Sequence, residues 1–140
     1  MATIAVVNDD PDFLDLLTQL LQLEGYEAFI VHEAKGAYDR LKGAHPDLIV
    51  LDIRIGGDND GWQIAECLTL DPATRPIPII LCSAAGDELQ RRVPWLQTHG
   101  IGAIAKPFDL DDMLGAIHEG LAGGIPMVGL ETGPNAATGG

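Results

Sequence analysis

The sequence predicts a doubly wound α/β domain with a five-stranded parallel sheet and helices on both faces. Short apolar runs rich in Val and Ile alternate with segments of helical periodicity five times along the chain. Strict alternation of this kind implies right-handed crossovers, which make the strands parallel and cover both faces of the sheet with helices. With 140 residues and 46% hydrophobic residues, the chain can bury the core of one such domain.

Each predicted element has its own signal in the sequence. The first helix should begin after Asp10, because an Asp before a proline serves as an N-cap and proline fits the first helical turn. Gly25 and Gly43 should end the first and second helices, and Asp109 should cap the last helix. Pro94 removes a backbone donor, so it should kink the fourth helix or begin a shortened version of it. The predicted strands cover residues 3–7, 26–31, 48–51, 77–82 and 101–105, and the predicted helices cover residues 11–24, 33–42, 62–70, 86–100 and 110–121.

Composition restricts what the chain can bind and where it works. The formal net charge is -13 with only 8 Lys and Arg residues, which argues against direct contact with nucleic acid or an anionic membrane. No apolar run has the length of a membrane span, and no targeting signal precedes the first strand. Cys67 and Cys82 lie in apolar segments, which predicts buried thiols in the reducing cytoplasm rather than a disulfide. Residues 1–121 should form the folded domain, and the glycine-rich residues 122–140 a flexible tail or the start of a linker.

Polar residues stand at the ends of four predicted strands. Residues 8–10 follow the first strand, Asp52 the third, Ser83 the fourth and Lys106 the fifth. Because the carboxyl ends of parallel strands meet at one edge of the sheet, we expect these side chains to share one pocket. Carboxylates gathered there repel one another, and a hard divalent cation such as Mg²⁺ would offset that repulsion. Taken alone, Asp52 is more simply explained as a residue that ends a strand, and Asp10 as the N-cap of a helix.

These motifs resemble those of the response-regulator receiver domains of two-component signalling. The resemblance extends from residue 3 to about residue 121 and rests on the acidic cluster NDDPDF, the run LIVLDIR, the hydroxyl after IILC and the tripeptide KPF. It implies a flavodoxin-like sheet with the strand order 2-1-3-4-5 and a cis bond before Pro107.

The resemblance also implies a phosphorylation site. Asp52 would accept a phosphoryl group from a histidine kinase or phosphotransfer protein, Lys106 would contact the phosphoryl oxygens, and the Ser83 hydroxyl would move inward as the switch. The domain would assist only its own phosphorylation and dephosphorylation, so no enzymatic activity on a separate substrate is expected. A downstream protein would bind the face formed by the fourth helix, the fifth strand and the last helix.

A magnesium site is implied at the same place. Asp9, Asp52 and the backbone carbonyl of Arg54 would hold Mg²⁺, and Asn8 would reach it through a water molecule. Asn8 stands where the family usually has an acid, so the predicted site has one negative charge fewer and should bind Mg²⁺ more weakly.

Other positions also depart from the family pattern. Ala103 stands where the family usually has a Tyr or Phe that reports phosphorylation to the output face. The acidic loop at residues 55–61 is one residue longer than usual, which makes the lifetime of the phosphorylated form hard to predict. Together with Pro94, Ala103 predicts an unusual output face, to which Trp95 would contribute aromatic surface for a partner.

Two alternatives stand beside the phosphorylated receiver. The first is a pseudo-receiver that uses the same fold as a phosphorylation-independent binding module, which Asn8 and Ala103 favour. The second is an aspartyl-phosphate phosphatase of the haloacid-dehalogenase type. That class needs a second acid two residues after the nucleophile, and Arg54 occupies this position, which counts against it.

Overall fold

The computed structural model describes residues 1–56 and 60–131, which form six strands and six helices. The elements follow one another as β1 (Thr3–Val7), α1 (Pro11–Leu23), β2 (Glu27–Val31), α2 (Ala37–Ala44), β3 (Leu48–Asp52), α3 (Asp60–Leu70), β4 (Ile79–Ser83), α4 (Gly86–Arg91), α5 (Val93–Thr98), β5 (Gly102–Ala105), α6 (Leu110–Leu121) and β6 (Met127–Val128). None of the helices in these two ranges is long and apolar enough to cross a membrane.

The strands form one parallel sheet in the order β2-β1-β3-β4-β5-β6. The first five strands have the predicted order, and the sixth extends the sheet beyond β5. β3 and β4 lie in the middle of the sheet and are buried along their whole length, as expected for parallel strands covered on both faces. The order reverses between β1 and β3, and the carboxyl ends of these strands therefore border the crevice in which open α/β sheets bind ligands.

The core consists of two layers, one on each face of the sheet. Successive residues of β3 alternate between them: Val50 belongs to the layer under α1 and α6, and Leu51 to the layer under α2, α3, α4 and α5. This alternation follows from the two-residue period of a strand. The apolar helical faces predicted from periodicity, such as Leu14, Leu17 and Leu21 of α1, are buried in the same layers.

The second and fourth predicted helices differ from those observed. α2 begins at Ala37, four residues later than predicted, because Gly36 adopts a left-handed φ of 75° that a helix cannot contain. It ends at Ala44, because the next residue, His45, is left-handed, so Gly43 lies inside the helix and does not end it. The segment 86–100 forms two short helices separated at Arg92, and Pro94 lies in the first turn of α5, where its missing N–H costs no hydrogen bond.

Two further predictions need correction. Cys82 is buried, but Cys67 is exposed on α3, because the apolar face of that helix is carried by its neighbours Ile64, Ala65 and Leu68. The sequence places residues 122–140 in a tail, yet Met127–Val128 forms β6, so the sheet has six strands where five are predicted. Residues 132–140 lie outside the described residues, and the division into domain and tail stays a prediction.

Asp71 joins α2 to the end of α3 and provides a test of pH-dependent stability. Its carboxylate contacts the Lys42 ammonium at 2.8 Å, accepts a hydrogen bond from the Tyr38 hydroxyl, and accepts another from the Ala73 N–H at 2.9 Å. These contacts, that of Lys42 first, hold the pKa of Asp71 well below its usual value. A depressed folded-state pKa stabilises the fold above the unfolded pKa of about 4, and this contribution is lost as the pH falls.

We therefore expect Asp71→Asn to reduce the free energy of unfolding at pH 7, and the difference from the unchanged protein to shrink steadily below about pH 4. Urea unfolding at a series of pH values measures this difference. Asp15→Asn, a change to an exposed carboxylate on α1, controls for the removal of one negative charge from an acidic chain. A difference that stays constant between pH 7 and about pH 2 would contradict the assignment.

Candidate functional site

The polar residues at the strand ends line one cavity of about 940 Å³ at the carboxyl edge of the sheet. These residues lie close together because β1, β3, β4 and β5, whose ends carry them, are neighbours in the sheet. The sequence-predicted site residues in the lining are Asn8, Asp9, Asp52, Arg54, Ser83 and Lys106. The topology therefore assembles residues that are up to 98 positions apart in the chain.

Asp52 lies at the centre of this cavity with only 5% of its surface exposed. Its Oδ2 atom is 3.0 Å from the Lys106 ammonium nitrogen and accepts a hydrogen bond from the Asn8 amide at 3.1 Å. Its Oδ1 atom has a longer contact, 3.4 Å, with the backbone N–H of Arg54. A buried carboxylate needs a cationic or hydrogen-bonding partner, and Lys106 and Asn8 supply both. Oδ1 is the less engaged oxygen of the two.

Asn8 is buried beside Asp52 and uses both ends of its amide within the protein. Its nitrogen donates to Asp52, and its oxygen accepts the backbone N–H of Asp10 at 2.8 Å. The predicted contact of Asn8 with a metal-bound water stays a prediction. Asp10 in turn accepts the backbone N–H groups of Asp12 and Phe13, which confirms it as the N-cap of α1.

Asp9 is exposed and connects the two loops that border the cavity. Its Oδ2 atom accepts the backbone N–H of Gly56 at 2.7 Å, which ties the loop after β1 to the loop after β3. Gly56 lies in the acidic loop at residues 55–61, which is longer than usual for the family. Of that segment, residues 57–59 lie outside the described part of the chain.

The donor set of the cavity fits a hard cation that retains water ligands. Asp9, Asp52 and the backbone of Arg54 offer oxygen ligands, which Mg²⁺ and Ca²⁺ prefer. Within residues 1–56 and 60–131, no cluster of three or more His, Cys, Asp or Glu side chains could enclose a metal. Mg²⁺ usually binds through one or two carboxylates and keeps several waters, and Asp9 and Asp52 provide two carboxylates in the lining.

Ser83 and Lys106 are joined through the backbone at the other side of the cavity. The backbone N–H of Lys106 donates to the Ser83 carbonyl at 2.8 Å, and the Ser83 hydroxyl oxygen accepts the N–H of Ala85 at 2.9 Å. Ser83 is buried at the end of β4, and its hydroxyl contacts the residue that precedes α4. The bond between Lys106 and Pro107 is cis, as predicted.

The neighbouring thiol has no part in this chemistry. Cys82 pairs with Asp52 across β3 and β4 and is fully buried. Burial, and secondarily the negative charge of Asp52, raises the pKa of the Cys82 thiol far above its usual value. Because of this raised pKa, the thiol stays protonated at physiological pH. It is therefore unreactive, since the thiolate is the reactive form of cysteine.

Sequence reasoning missed Glu88, which also lines the cavity. Its carboxylate accepts a hydrogen bond from the Trp62 indole N–H at 2.6 Å, and the Arg92 guanidinium lies 4.2 Å from the centre of the same indole ring. These contacts tie α3 to α4. No periodic or motif signal marks them, because the partners come from separate helices.

Trp95 belongs to the same aromatic cluster as Trp62 and keeps part of its side chain exposed. Its ring centre lies 6.3 Å from that of Trp62 and 4.5 Å from that of His99, and the side chain is half-buried. The prediction that Trp95 contributes aromatic surface for a partner stays a prediction.

Comparison with known proteins identifies the family. Residues 4–118 match the family model described as the response regulator receiver domain. The chain belongs to the response-regulator receiver family. The predicted family and fold class are thereby confirmed, and this receiver domain is of the kind that works in two-component signalling.

The curated relatives are longer proteins that contain such a domain. The chain is 32% identical over 125 residues to the phosphate regulon transcriptional regulatory protein PhoB of Rhizobium meliloti, covering 89% of this chain and 54% of the relative. It is 29% identical over 123 residues to the DNA-binding dual master transcriptional regulator RpaA of Synechocystis, covering 84% of this chain and 48% of the relative. The chain thus spans about half the length of these relatives.

A solved structure agrees over nearly its whole length. The N-terminal domain of a response regulator receiver protein from Methanoculleus marisnigri is 28% identical, with a TM-score of 0.67. The match covers 84% of this chain and 94% of that one. Receiver domains of this kind generally bind Mg²⁺.

Proposed function

We propose that this receiver domain accepts a phosphoryl group on Asp52 from the phosphohistidine of a histidine kinase or phosphotransfer protein. The observation that carries the proposal is the environment of Asp52, a buried carboxylate at a strand end with the Lys106 ammonium 3.0 Å away. The open cavity in front of it gives a donor access. A carboxylate in such a place can act as the nucleophile of a covalent aspartyl phosphate.

The chemistry requires little beyond position and charge. An Asp52 oxygen, Oδ1 by its looser contacts, attacks the phosphorus atom of the donor and forms a new P–O bond. The bond between phosphorus and the donor imidazole nitrogen breaks, and the nitrogen keeps the electron pair. Lys106 offsets negative charge on the transferred group, and the Asn8 amide holds the carboxylate in place. Phosphoryl transfer depends mainly on such positioning and electrostatic stabilisation.

Asp9, Asp52 and the Arg54 carbonyl are the groups that we expect to hold Mg²⁺ at this site. When bound, the ion supplies positive charge to the phosphoryl oxygens. Asn8 carries no charge, so the site holds the ion with one carboxylate fewer than an acid at this position would provide. A weaker affinity for Mg²⁺ follows.

The output is a change in partner binding rather than turnover of a substrate. In our proposal the Ser83 hydroxyl leaves the Ala85 N–H and donates to a phosphoryl oxygen, which shifts the start of α4. The domain assists only its own phosphorylation and dephosphorylation, so we class it as a signalling phosphoacceptor and not an enzyme. The two unpaired cysteines support a reducing compartment, the cytoplasm.

A pseudo-receiver is the second candidate. It is favoured by Asn8, whose amide satisfies the Asp52 carboxylate without a metal. In that case the fold would bind its partner independently of phosphorylation.

Intact-mass analysis separates the two candidates. With Mg²⁺ and acetyl phosphate, we expect a single phosphoryl adduct that is absent in Asp52→Asn and absent when the metal is chelated. Asp12→Asn, which changes an exposed carboxylate outside the cavity lining, should keep the adduct. The absence of any adduct at saturating donor would overturn the proposal in favour of the pseudo-receiver.

A further inference from the structure

The segment 126–131, here called the C-terminal strap, lies along the outer edge of β5. β6 pairs with β5 in parallel, with Ala103 opposite Met127 and Ile104 opposite Val128. The backbone N–H of Ala103 donates to the Pro126 carbonyl at 2.8 Å. The strap therefore covers backbone groups that would otherwise form an open sheet edge.

A glutamine on α4 holds the end of the strap through both halves of its amide. The Gln90 side-chain nitrogen donates to the Glu131 carbonyl at 2.6 Å, and the Glu131 N–H donates to the Gln90 side-chain oxygen at 2.9 Å. This paired contact depends on one orientation of α4 relative to the strap. A shift of α4 away from the strap would lengthen both hydrogen bonds.

The residues of β5 are small enough to let the strap approach. A Cβ atom at Gly102 would lie 2.8 Å from the ring of Pro126, closer than real Cβ atoms come. A Cβ atom at Gly129 would lie 3.2 Å from that of Ala105. Met127 and Leu130 pack against the core layer that contains Ala103. The surface of β5 is thus complementary in shape to the strap. The glycine within β5 fits this interpretation, since glycine inside a strand often marks a close approach of another backbone.

The strap touches both structural elements that carry the proposed phosphoryl contacts. Ala105, which meets Gly129, directly precedes Lys106, whose ammonium contacts Asp52. Ser83 holds the N–H of Ala85 immediately before α4, and α4 carries Gln90. A structural change at Asp52 can therefore be transmitted to the strap through β5 and through α4.

We infer that the strap is docked on β5 and α4 when Asp52 is unmodified and leaves when Asp52 is phosphorylated, which uncovers the edge of β5. The inference rests on the proposed phosphorylation of Asp52. The direction follows from the movement proposed for Ser83. As its hydroxyl moves toward the phosphoryl group it leaves the Ala85 N–H, α4 shifts, and the Gln90 contacts with Glu131 are lost. The uncovered edge offers unpaired N–H and C=O groups. Its partner is an extended segment of another protein, which binds by strand addition.

Hydrogen exchange on the full chain tests the release of the strap. The Ala103 amide should exchange slowly in the unmodified protein and quickly in the phosphorylated protein, because its acceptor is the Pro126 carbonyl. The phosphoryl adduct is measured by intact mass on the same sample. Slow exchange at Ala103 in fully phosphorylated protein overturns the strap inference and leaves phosphorylation intact. No adduct at saturating donor overturns both.

Linkage provides a second test that does not require a covalent adduct. Gln90→Ala and Gly102→Ala should each loosen the strap, the first by removing the paired amide and the second by a clash with Pro126. Because coupling is reciprocal, each variant should bind beryllofluoride with Mg²⁺ at Asp52 about fivefold tighter than the unchanged protein. Calorimetric titration measures these affinities.

Matched controls distinguish coupling from general loosening. Gln97→Ala changes an exposed glutamine on α5, and Gly115→Ala adds a methyl group to α6 where no atom lies within 4 Å. Both should bind beryllofluoride as the unchanged protein does. Equal affinity in the two strap variants and the two controls overturns the inference.

Discussion

Replacing Lys106 with methionine should slow formation of the Asp52 phosphoryl adduct by about a hundredfold to a thousandfold, the usual loss when one preorganised donor to a developing charge is removed. Lys106 places its ammonium 3.0 Å from Oδ2 of Asp52, whose carboxylate is almost fully buried. Methionine keeps most of the length of the side chain and removes the charge together with the hydrogen-bond donors of the ammonium group. The measurement is the rate of adduct formation with acetyl phosphate at saturating Mg²⁺, followed by intact mass.

Lys35→Met is the matched control, since Lys35 is exposed and does not line the cavity around Asp52. It should form the adduct at the rate of the unchanged protein. If Lys106→Met reacted within about twofold of that rate, the role of Lys106 would be limited to packing, and the assignment of the phosphoryl contact would be wrong.

Gly61→Ala should lower the free energy of unfolding by about 2 to 3 kcal/mol, as overpacking of a tight backbone contact does. A Cβ atom at this position would lie 2.4 Å from the Asp52 carbonyl oxygen and 2.4 Å from the Ile53 Cα. Both are backbone atoms that cannot rotate away, so α3 must move off the end of β3. The N–H of Gly61 also donates to the Ile53 carbonyl at 2.9 Å, and that hydrogen bond would lengthen. Urea unfolding measures the loss.

Gly43→Ala provides the comparison, because it adds the same methyl group inside α2 where no atom lies within 4 Å. It should stabilise the protein by about 0.5 to 1 kcal/mol, as alanine does over glycine within a helix. Since Gly61 contacts the backbone of Asp52, its substitution should also slow adduct formation. A Gly61→Ala protein as stable as the unchanged one would show that α3 is held less closely than the structure indicates.

The two alternatives for the whole domain differ in what these experiments would show. In a pseudo-receiver, Gly61→Ala would still lower the free energy of unfolding. No phosphoryl adduct would form, so Lys106→Met would have no rate to slow. The two predictions together therefore separate the fold, which the family match establishes, from the phosphorylation of Asp52, which is proposed.

By itself the sequence determined the features that depend on local pattern and on topology. Apolar runs and helical periodicity predicted the first five strands and the parallel sheet, and the resemblance to receiver domains implied their order. Asp10 and Asp109 marked the starts of two helices. The site residues could be predicted because a parallel sheet brings all strand ends to one edge. Position in the chain alone therefore placed Asp52 and Lys106 at the same cavity.

Only the tertiary structure decided the contacts between elements that share no pattern. The partnership of Gln90 with Glu131, and that of Trp62 with Glu88, link segments whose sequences are locally unremarkable. β6 was missed because two residues among glycines and prolines carry too little apolar periodicity to predict a strand. Its pairing depends on the small side chains of β5 and on the tie to α4, and such long-range fit becomes visible only once the chain is folded.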